Sequence, residues 1–289
     1  MLPCPFHFGS RRSFLDVSTG KSIHVRILDL YGRHHLFGST VEGLIVLCWQ
    51  DTLAFQLLNL LMGQRTANLP RVTTTERAIR DFGVGSAGLT GNSMVALHYG
   101  FGYGIAVARP GDKFWTRLHA SGRSKSAMSF AGRFYCVTSE NILVVETTAN
   151  RRPQLAVAVD FEPGNGFGYN DELQLVDNGG ELILVHLACH GHPDNTFFSG
   201  KYTTYRVRLD TRSTEPMHGL CGRALFMGTS RSLSMRARVS RSMSEDTVYM
   251  CCDYNKVSGA PNSVLAIDLL GRCFGPRTRL QHCPLQLGR

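Results

Sequence analysis

The sequence is poor in the features that mark disordered and secreted proteins. Charged residues make up only 18% of its 289 residues, which argues against long disordered tracts. The first twenty residues contain no apolar stretch of the kind found in a secretory signal peptide. The nine cysteines are odd in number and do not suggest a secreted disulfide framework. We therefore expect an intracellular protein, cytoplasmic or nuclear, with reduced cysteines.

The sequence also lacks an uninterrupted apolar run of membrane-spanning length. Residues 43–62 are largely apolar and long enough to cross a bilayer. Gln50 and Asp51 lie near the middle of this run, and a central Asp costs about 2.5–3.5 kcal/mol on insertion. Two strands joined by a turn at Gln50, Asp51 and Thr52 explain the polar residues without that cost. We predict no contact with a membrane.

Short paired apolar runs recur along the chain. They are residues 43–49 with 53–58, 94–99 with 104–108, 134–138 with 142–146, 182–187 with 202–209, and 248–252 with 264–269. Strand pairs repeating every 40 to 60 residues or so are typical of β-propeller blades. Thirty glycines suit the tight turns of such a fold. We predict an all-β, kelch-like β-propeller of four-stranded blades, forming a single domain over residues 1–289, with no helix longer than about three turns.

One glycine-rich segment matches a dinucleotide-binding pattern by its letters. Gly83, Gly85 and Gly88 have the G-x-G-x-x-G spacing, but that fingerprint needs a strand before it and a helix after it. Charged residues precede the segment at 76–81, and residues 89–92 do not begin a helix. We interpret it as part of a connection between blades, residues 73–91, and predict no cofactor.

Two groups of residues are candidate metal ligands. They are Cys189, His190 and His192, and Cys273, His282 and Cys283. Structural zinc takes two pairs of ligands at defined spacing, and neither group completes that pattern. Loop histidines and small buried cysteines explain both groups, so we predict no metal site.

Catalytic motifs are equally sparse. The sequence contains no G-x-S-x-G nucleophile elbow. The adjacent acids Asp171 and Glu172, and Glu245 and Asp246, are ordinary in turns, although two carboxylates about 5–10 Å apart in a cleft would suit a glycosidase. We predict a non-enzymatic protein with no catalytic residues. An enzyme with a small-molecule pocket in the central channel is an alternative.

Positive charge is concentrated in one segment. The chain has 31 Lys and Arg against 22 Asp and Glu. Residues 201–241 carry nine basic residues and two acidic ones; the basic ones are Lys201, Arg206, Arg208, Arg212, Arg223, Arg231, Arg236, Arg238 and Arg241. Such asymmetry can mark a face for an anionic partner, so a basic nucleic-acid-associated protein is a second alternative. No specific recognition motif accompanies the segment, and we expect any nucleic-acid binding to fade between about 50 and 200 mM salt.

Several motif-like strings lie along the chain. Residues 109–118 read RPGDKFWTRL, and residues 222–228 read GRALFMG and are followed by SRSLS at 230–234. Taken in order, these strings resemble the R-P-G-D-x-x-W-T-x-L and G-x-x-A-L-F-h-G-x-x-x-S-h-S segments of the plant KIB-type β-propeller family, which is F-box-associated and a domain of unknown function. Shorter similarities lie at residues 38–46, 59–70, 248–249 and 266–268. The resemblance extends over about residues 14–273.

This resemblance implies a protein-interaction domain like the substrate-recognition domain of plant F-box proteins, with an unidentified protein partner and unknown binding residues. No F-box precedes residue 14, so we expect no binding to a Skp-type adaptor. Residues 274–289 lack the family's closing aromatic strand and form an atypical C-terminal tail, which leaves ring closure open. Trp115, Phe130, Phe134 and Tyr135 are expected to be core residues rather than ligand contacts.

Overall fold

The computed structural model describes the chain as a succession of β-strands. The described residues are 11–16, 21–26, 34–39, 44–49, 54–59, 64–71, 84–91, 93–99, 104–120, 122–148, 151–161, 167–168, 171–188, 202–228, 232–239, 243–252, 263–268 and 273–274. Within these residues, the only helical element is one short 3-10 turn, Ala237–Val239. The prediction of an all-β chain without long helices is confirmed for the described residues.

Twenty-three strands make up the described structure. They are β1 (Arg11–Asp16), β2 (Lys21–Arg26), β3 (His34–Ser39), β4 (Leu44–Trp49), β5 (Ala54–Asn59), β6 (Gln64–Arg71), β7 (Val84–Thr90), β8 (Met94–Tyr99), β9 (Gly104–Ala108), β10 (Thr116–Leu118), β11 (Ser126–Phe130), β12 (Arg133–Val137), β13 (Asn141–Glu146), β14 (Gln154–Asp160), β15 (Glu172–Asp177), β16 (Leu182–Leu187), β17 (Tyr202–Arg208), β18 (Ser213–Met217), β19 (Arg223–Met227), β20 (Ser232–Arg236), β21 (Thr247–Cys252), β22 (Ser263–Asp268) and β23 (Cys273–Phe274).

The chain divides into two compact units. The first comprises residues 1–12 and 25–162, and the second comprises residues 13–24 and 163–289. The first unit contains three four-stranded sheets, β3–β6, β7–β10 and β11–β14, each with its strands in chain order. The second contains the four-stranded sheet β15–β18, a five-stranded sheet formed by β19–β23, and most of the β1–β2 pair. Antiparallel sheets of four strands are the blades of a β-propeller.

The five paired apolar runs of the sequence are all neighbouring antiparallel strands. They correspond to β4 with β5, β8 with β9, β12 with β13, β16 with β17, and β21 with β22. In the second of these pairs, Val95 lies opposite Ala108 and Tyr99 lies opposite Gly104. The strands β8 and β9 are buried along their whole length, which is why they appear in the sequence as continuous apolar runs rather than as alternating patterns.

The core of the first unit lies between the faces of successive sheets. One apolar cluster joins β3–β6 to β7–β10, and a second joins β7–β10 to β11–β14. Trp115 belongs to the first cluster: it is 5% exposed, its ring meets Phe55 edge-on at 5.5 Å, and its Nε1 donates to the carbonyl oxygen of Pro70 at 2.9 Å. Trp115 is therefore a buried anchor between two sheets, as predicted.

The other predicted core aromatics lie in the β11–β12 hairpin. Phe134 and Tyr135 are buried, and Phe130 is half-buried with its ring 6.5 Å from that of Tyr135. The hairpin turns through Ala131 and Gly132, which both have positive φ, as a two-residue type I′ turn requires.

The prediction that residues 73–91 form a connection between blades is wrong for residues 84–90, which form strand β7. Gly85 and Gly88 are strand residues, and the chain turns into β8 rather than into a helix. Gly88 is needed because β11 passes very close: a Cβ atom at Gly88 would overlap Ser129 Oγ, which donates to the carbonyl oxygen of Leu89 at 2.8 Å. The glycine thus serves a close approach between sheets.

The five-stranded sheet departs from the predicted four-stranded blade. Its strand order is β20-β19-β21-β22-β23, and β19 pairs with β21 in parallel. The strand β21 follows the β19–β20 hairpin and the 3-10 turn in the chain and runs beside β19 in the same direction. Residues 275–289, which make up most of the predicted C-terminal tail, lie outside the described residues.

Candidate binding site: an arginine-lined cavity in the second unit

An open cavity of about 400 Å³ lies in the second unit, where the β15–β18 sheet meets the β19–β23 sheet. Four of its lining residues are arginines and two are glutamates. The complete lining is Asn178, Gly179, Glu181, Arg206, Cys221, Gly222, Arg223, Arg236, Arg238 and Glu245. We call this feature the arginine cavity.

One wall of the arginine cavity is the tight turn between β15 and β16. Gly179 and Gly180 have φ values of +77° and +97°, which glycine adopts without strain. Asp177 Oδ1 accepts a hydrogen bond from the Gly180 amide at 2.7 Å, and the Asn178 amide donates to the Glu181 carbonyl at 2.8 Å. A Cβ atom at Gly179 would lie 2.8 Å from Nη1 of Arg223, so the missing side chain leaves room for that guanidinium.

The guanidinium of Arg223 is held in place by hydrogen bonds to Ser234. Its Nε donates to Ser234 Oγ at 2.8 Å, and its Nη2 donates to the Ser234 carbonyl at 3.0 Å. Ser234 Oγ in turn donates to Asn178 Oδ1 at 2.6 Å, and Asn178 Nδ2 donates to the Leu220 carbonyl at 3.4 Å. A guanidinium has five N–H donors, so Arg223 keeps three beyond those that bind Ser234.

A second turn, residues 220–222, contributes Cys221 and Gly222 to the cavity lining. Cys221 and Gly222 have φ values of +58° and +73°. Asp246 stabilises this turn, because Oδ1 accepts from the Leu220 amide and the Asp246 amide donates to the Arg223 carbonyl at 2.9 Å. Of the adjacent acids noted in the sequence, Asp246 is therefore a structural residue, whereas Glu245 lines the cavity.

The remaining three arginines differ in their environment. Arg206 lies 3.3 Å from Glu181 through Nε, and that Nε is shielded from solvent without a hydrogen bond of good geometry. Arg236 and Arg238 are exposed. No ion pair or side-chain hydrogen bond involves either of these two among the described residues. They form a rim whose positive charges face solvent.

The arginine cavity has an excess of positive charge. Four guanidinium groups and two carboxylates leave two positive charges, and arginine stays protonated at any physiological pH. Its planar fork binds carboxylate or phosphate oxygens through two parallel hydrogen bonds. The chemistry available in this cavity is recognition of an anion.

A histidine–carboxylate pair lies elsewhere in the second unit. His186 Nε2 is 2.9 Å from Asp171 Oδ2, and Asp171 Oδ2 also accepts from the Gly168 amide at 2.7 Å. The ring of Phe167 covers the pair, 4.6 Å from His186 and 5.8 Å from Tyr205. Burial raises the pKa of Tyr205. Asp171 thus positions a loop and a ring, a structural role for the other acid pair of the sequence.

A buried histidine and cysteine lie close together in the first unit. His98 and Cys136 are 6% and 0% exposed, and both lie near Ser124, whose Oγ, like His98 Nε2, has no hydrogen-bond partner of good geometry among the described residues. Burial lowers the pKa of His98 to about 4, and burial raises the pKa of Cys136 to about 12. A neutral, enclosed thiol is a poor nucleophile. Cys48, buried in the same unit, likewise has its pKa raised to about 12 by burial.

The structure explains part of the basic segment, residues 201–241. Four of its nine basic residues line the arginine cavity, while Arg208 on β17 pairs with Glu215 on β18 at 3.1 Å. Lys201, Arg231 and Arg241 lie outside the described residues. No binding residues within this segment could be predicted from the sequence, because arginines from three strands and one 3-10 turn meet only through sheet packing. The one local signal was the pair of glycines after Asn178.

Most of the candidate metal ligands fall outside the structural description. Cys189, His190, His192, His282 and Cys283 are not described, and Cys273 is described only as part of β23. Within the described part of the chain, no helix is long and apolar enough to cross a membrane.

Comparison with solved structures gives distant similarities. The chain is similar to streptogramin B lyase, with 10% identity, a TM-score of 0.40, and coverage of 84% of this chain and 67% of that one. It is similar to the β-propeller domain of Cps50 (Swd1) from Myceliophteria thermophila, with 11% identity, a TM-score of 0.41, and coverage of 84% and 73%. For YCF48 from Cyanidioschyzon merolae the identity is 15%, the TM-score 0.38, and the coverage 73% and 69%. Likenesses this distant carry no argument about function.

Comparison with protein families is more specific. None of the curated proteins matches the chain. The family model described as the KIB1-4 β-propeller matches residues 14–268, close to the extent of the resemblance seen in the sequence strings. That match spans most of the 289 residues and agrees with the repeated four-stranded antiparallel sheets. The chain belongs to the KIB1-4 β-propeller family.

Proposed function

We propose that this chain is a non-enzymatic protein-interaction module that binds a protein partner at the arginine cavity. The observation that carries the proposal is the cavity itself. Hydrogen bonds to Ser234 hold the guanidinium of Arg223, and the guanidinium groups of Arg236 and Arg238 are exposed at the rim. Preorganised arginines reduce the entropy lost on binding. Arginine is also among the residues that contribute most to protein–protein affinity.

The cavity chemistry favours binding over catalysis. Its four arginines cannot exchange protons near neutral pH, so they do not act as general acids or bases. The better-protected titratable pairs, His186 with Asp171 and His98 near Cys136, are partly or fully buried and belong to packing contacts. A surface that offers fixed positive charge and hydrogen-bond donors is suited to holding an acidic segment of a partner.

Direct reconstitution tests this proposal. Proteins captured by the tagged chain are identified by mass spectrometry, and each candidate is then purified and mixed with the untagged chain. We expect a stoichiometric complex on size exclusion with light scattering, with the partner recovered at unchanged mass. The variant Arg236→Glu should weaken the complex, whereas Arg208→Glu, an equal change of charge outside the cavity lining, should not.

Two outcomes would contradict the proposal. One is that no purified candidate forms a complex with the chain. The other is that a bound partner or a small molecule leaves the mixture covalently changed, which would make the chain an enzyme.

A further inference from the structure

We infer that the arginine cavity recognises a phosphomonoester, presented as phosphoserine or phosphothreonine by the protein partner. This inference rests on the proposed function and adds the chemistry of the group that enters the cavity. The shape, the charge balance and the free donors of the cavity each support it.

The charge balance of the cavity fits a dianion. Arg206 is partly neutralised by Glu181 at 3.3 Å, and Glu245 supplies a second negative charge. The cavity therefore keeps two positive charges. A phosphorylated side chain carries a charge of about −1.5 to −2 at pH 7, whereas the carboxylate of Asp or Glu carries only one.

The cavity offers several guanidinium donors to the oxygens of a phosphate. Ser234 holds the Nε and Nη2 edge of Arg223, and Nη1 lies beside the Gly179 turn. Arg236 and Arg238 add two exposed guanidinium groups from β20 and the 3-10 turn that follows it. A phosphate offers three strong acceptor oxygens, and charge-assisted hydrogen bonds from several arginines to such oxygens are roughly twice as strong as neutral ones.

The fixed arginine and the exposed arginines have different roles in binding a phosphate. Arg223 is anchored through Ser234 and Asn178 to the β15–β16 turn and to the Leu220 carbonyl, so its position is set before a ligand arrives. Arg236 and Arg238 meet the ligand at the solvent edge. The volume of about 400 Å³ accommodates a phosphorylated side chain with the adjoining peptide, since ligand pockets generally measure about 300–1,000 Å³.

Peptide binding provides the test. The probe is a mixture of short fluorescent peptides with a central phosphoserine and degenerate flanks, compared with the same mixture carrying serine and with one carrying glutamate. We expect the phosphorylated mixture to bind at least about tenfold more tightly than either, because each charge-assisted contact contributes more than one factor of ten. O-phosphoserine and inorganic phosphate should compete at higher concentration.

Variants at the rim separate the site from general positive charge. Arg236→Gln and Arg238→Gln should each weaken phosphopeptide binding by about tenfold, while Arg208→Gln, which removes the same charge outside the cavity, should leave it unchanged. Glu245→Gln should strengthen binding by about two- to fivefold, the range for an exposed charge. All four residues are exposed or half-buried, so the fold should tolerate the changes.

The inference is overturned if the serine and phosphoserine mixtures bind equally, if neither binds, or if Arg208→Gln is as harmful as Arg236→Gln. Competition by inorganic phosphate alone, without binding of the phosphopeptide, would assign the cavity to a small anion and would also overturn it. A purified partner that binds equally well after phosphatase treatment would reject the phosphate while leaving the proposed function standing.

Discussion

The contacts between sheets differ in kind between the two units. Within the first unit, the sheets meet mainly through apolar clusters, in which Trp115 packs against Phe55, and single hydrogen bonds such as that of Ser129 Oγ to the Leu89 carbonyl accompany them. Within the second unit, an apolar cluster containing Leu225 is accompanied by a chain of hydrogen bonds that runs from Asn178 through Ser234. Apolar packing supplies stability in both units, and the polar network of the second unit positions a charged group. The same kind of antiparallel sheet therefore supports both apolar packing that stabilises the fold and a polar network that positions Arg223 in the cavity.

Among the substitutions considered, removing Trp115 from the apolar core of the first unit should reduce the unfolding free energy most. Trp115→Ala deletes a buried indole and its hydrogen bond to Pro70, and it should cost about 3–5 kcal/mol of unfolding free energy. Urea unfolding measures the loss. Phe114→Ala is the matched control, since the neighbouring Phe114 is 67% exposed and should change stability by less than about 0.5 kcal/mol. An unchanged midpoint for Trp115→Ala would show that this residue is no anchor.

His98 gives the first unit a pH dependence of its own. Burial lowers its pKa from 6.5 to about 4, so the unfolded chain binds a proton first as the pH falls. Stability is therefore fully present above pH 6.5 and is lost progressively towards pH 4, by up to about 3 kcal/mol. Urea unfolding of the wild type and His98→Gln between these pH values isolates this loss as a difference in slope. Parallel curves would mean that His98 titrates normally.

The close approach at Gly88 can be tested by adding a single carbon. Gly88→Ala should destabilise the chain by about 1–3 kcal/mol, the usual cost of overpacking, because the new Cβ would overlap Ser129 Oγ. The double variant Gly88→Ala with Ser129→Ala relieves part of the overlap, so its loss should be smaller than the sum of the single losses. If the two losses of unfolding free energy were strictly additive, β7 and β11 would have to lie further apart than in the structure.

A substitution at Ser234 tests the polar network of the second unit. Ser234→Ala leaves Arg223 Nε and Asn178 Oδ1 without their partner and should cost about 1–3 kcal/mol. Arg236→Gln, at the exposed rim, should change the unfolding free energy by less than about 0.5 kcal/mol. Equal effects in thermal unfolding would show that the network does not support the cavity. This contrast separates residues that stabilise the cavity from residues that only contact its ligand.

Prediction from the sequence worked where the signal was local and apolar. The runs 94–99 and 104–108 coincide with β8 and β9 because both strands are buried throughout, and Trp115 behaved as a large aromatic normally does. The glycines at 83–88 indicated a connection where the structure has β7, since a glycine required for close packing cannot be told from a turn glycine in the sequence. Gly88 could be understood only once Ser129, forty-one residues later, lay against it.

The sequence by itself determined the five pairs of apolar strands and the family, since each of these depends on neighbouring residues and their order. It also placed an excess of positive charge between residues 201 and 241. Only the tertiary structure decided which arginines act together. Arg206, Arg223 and Arg236 lie on three strands in two sheets, and Arg238 follows in a 3-10 turn. Their convergence depends on sheet packing, which is a long-range property that no local pattern of residues records.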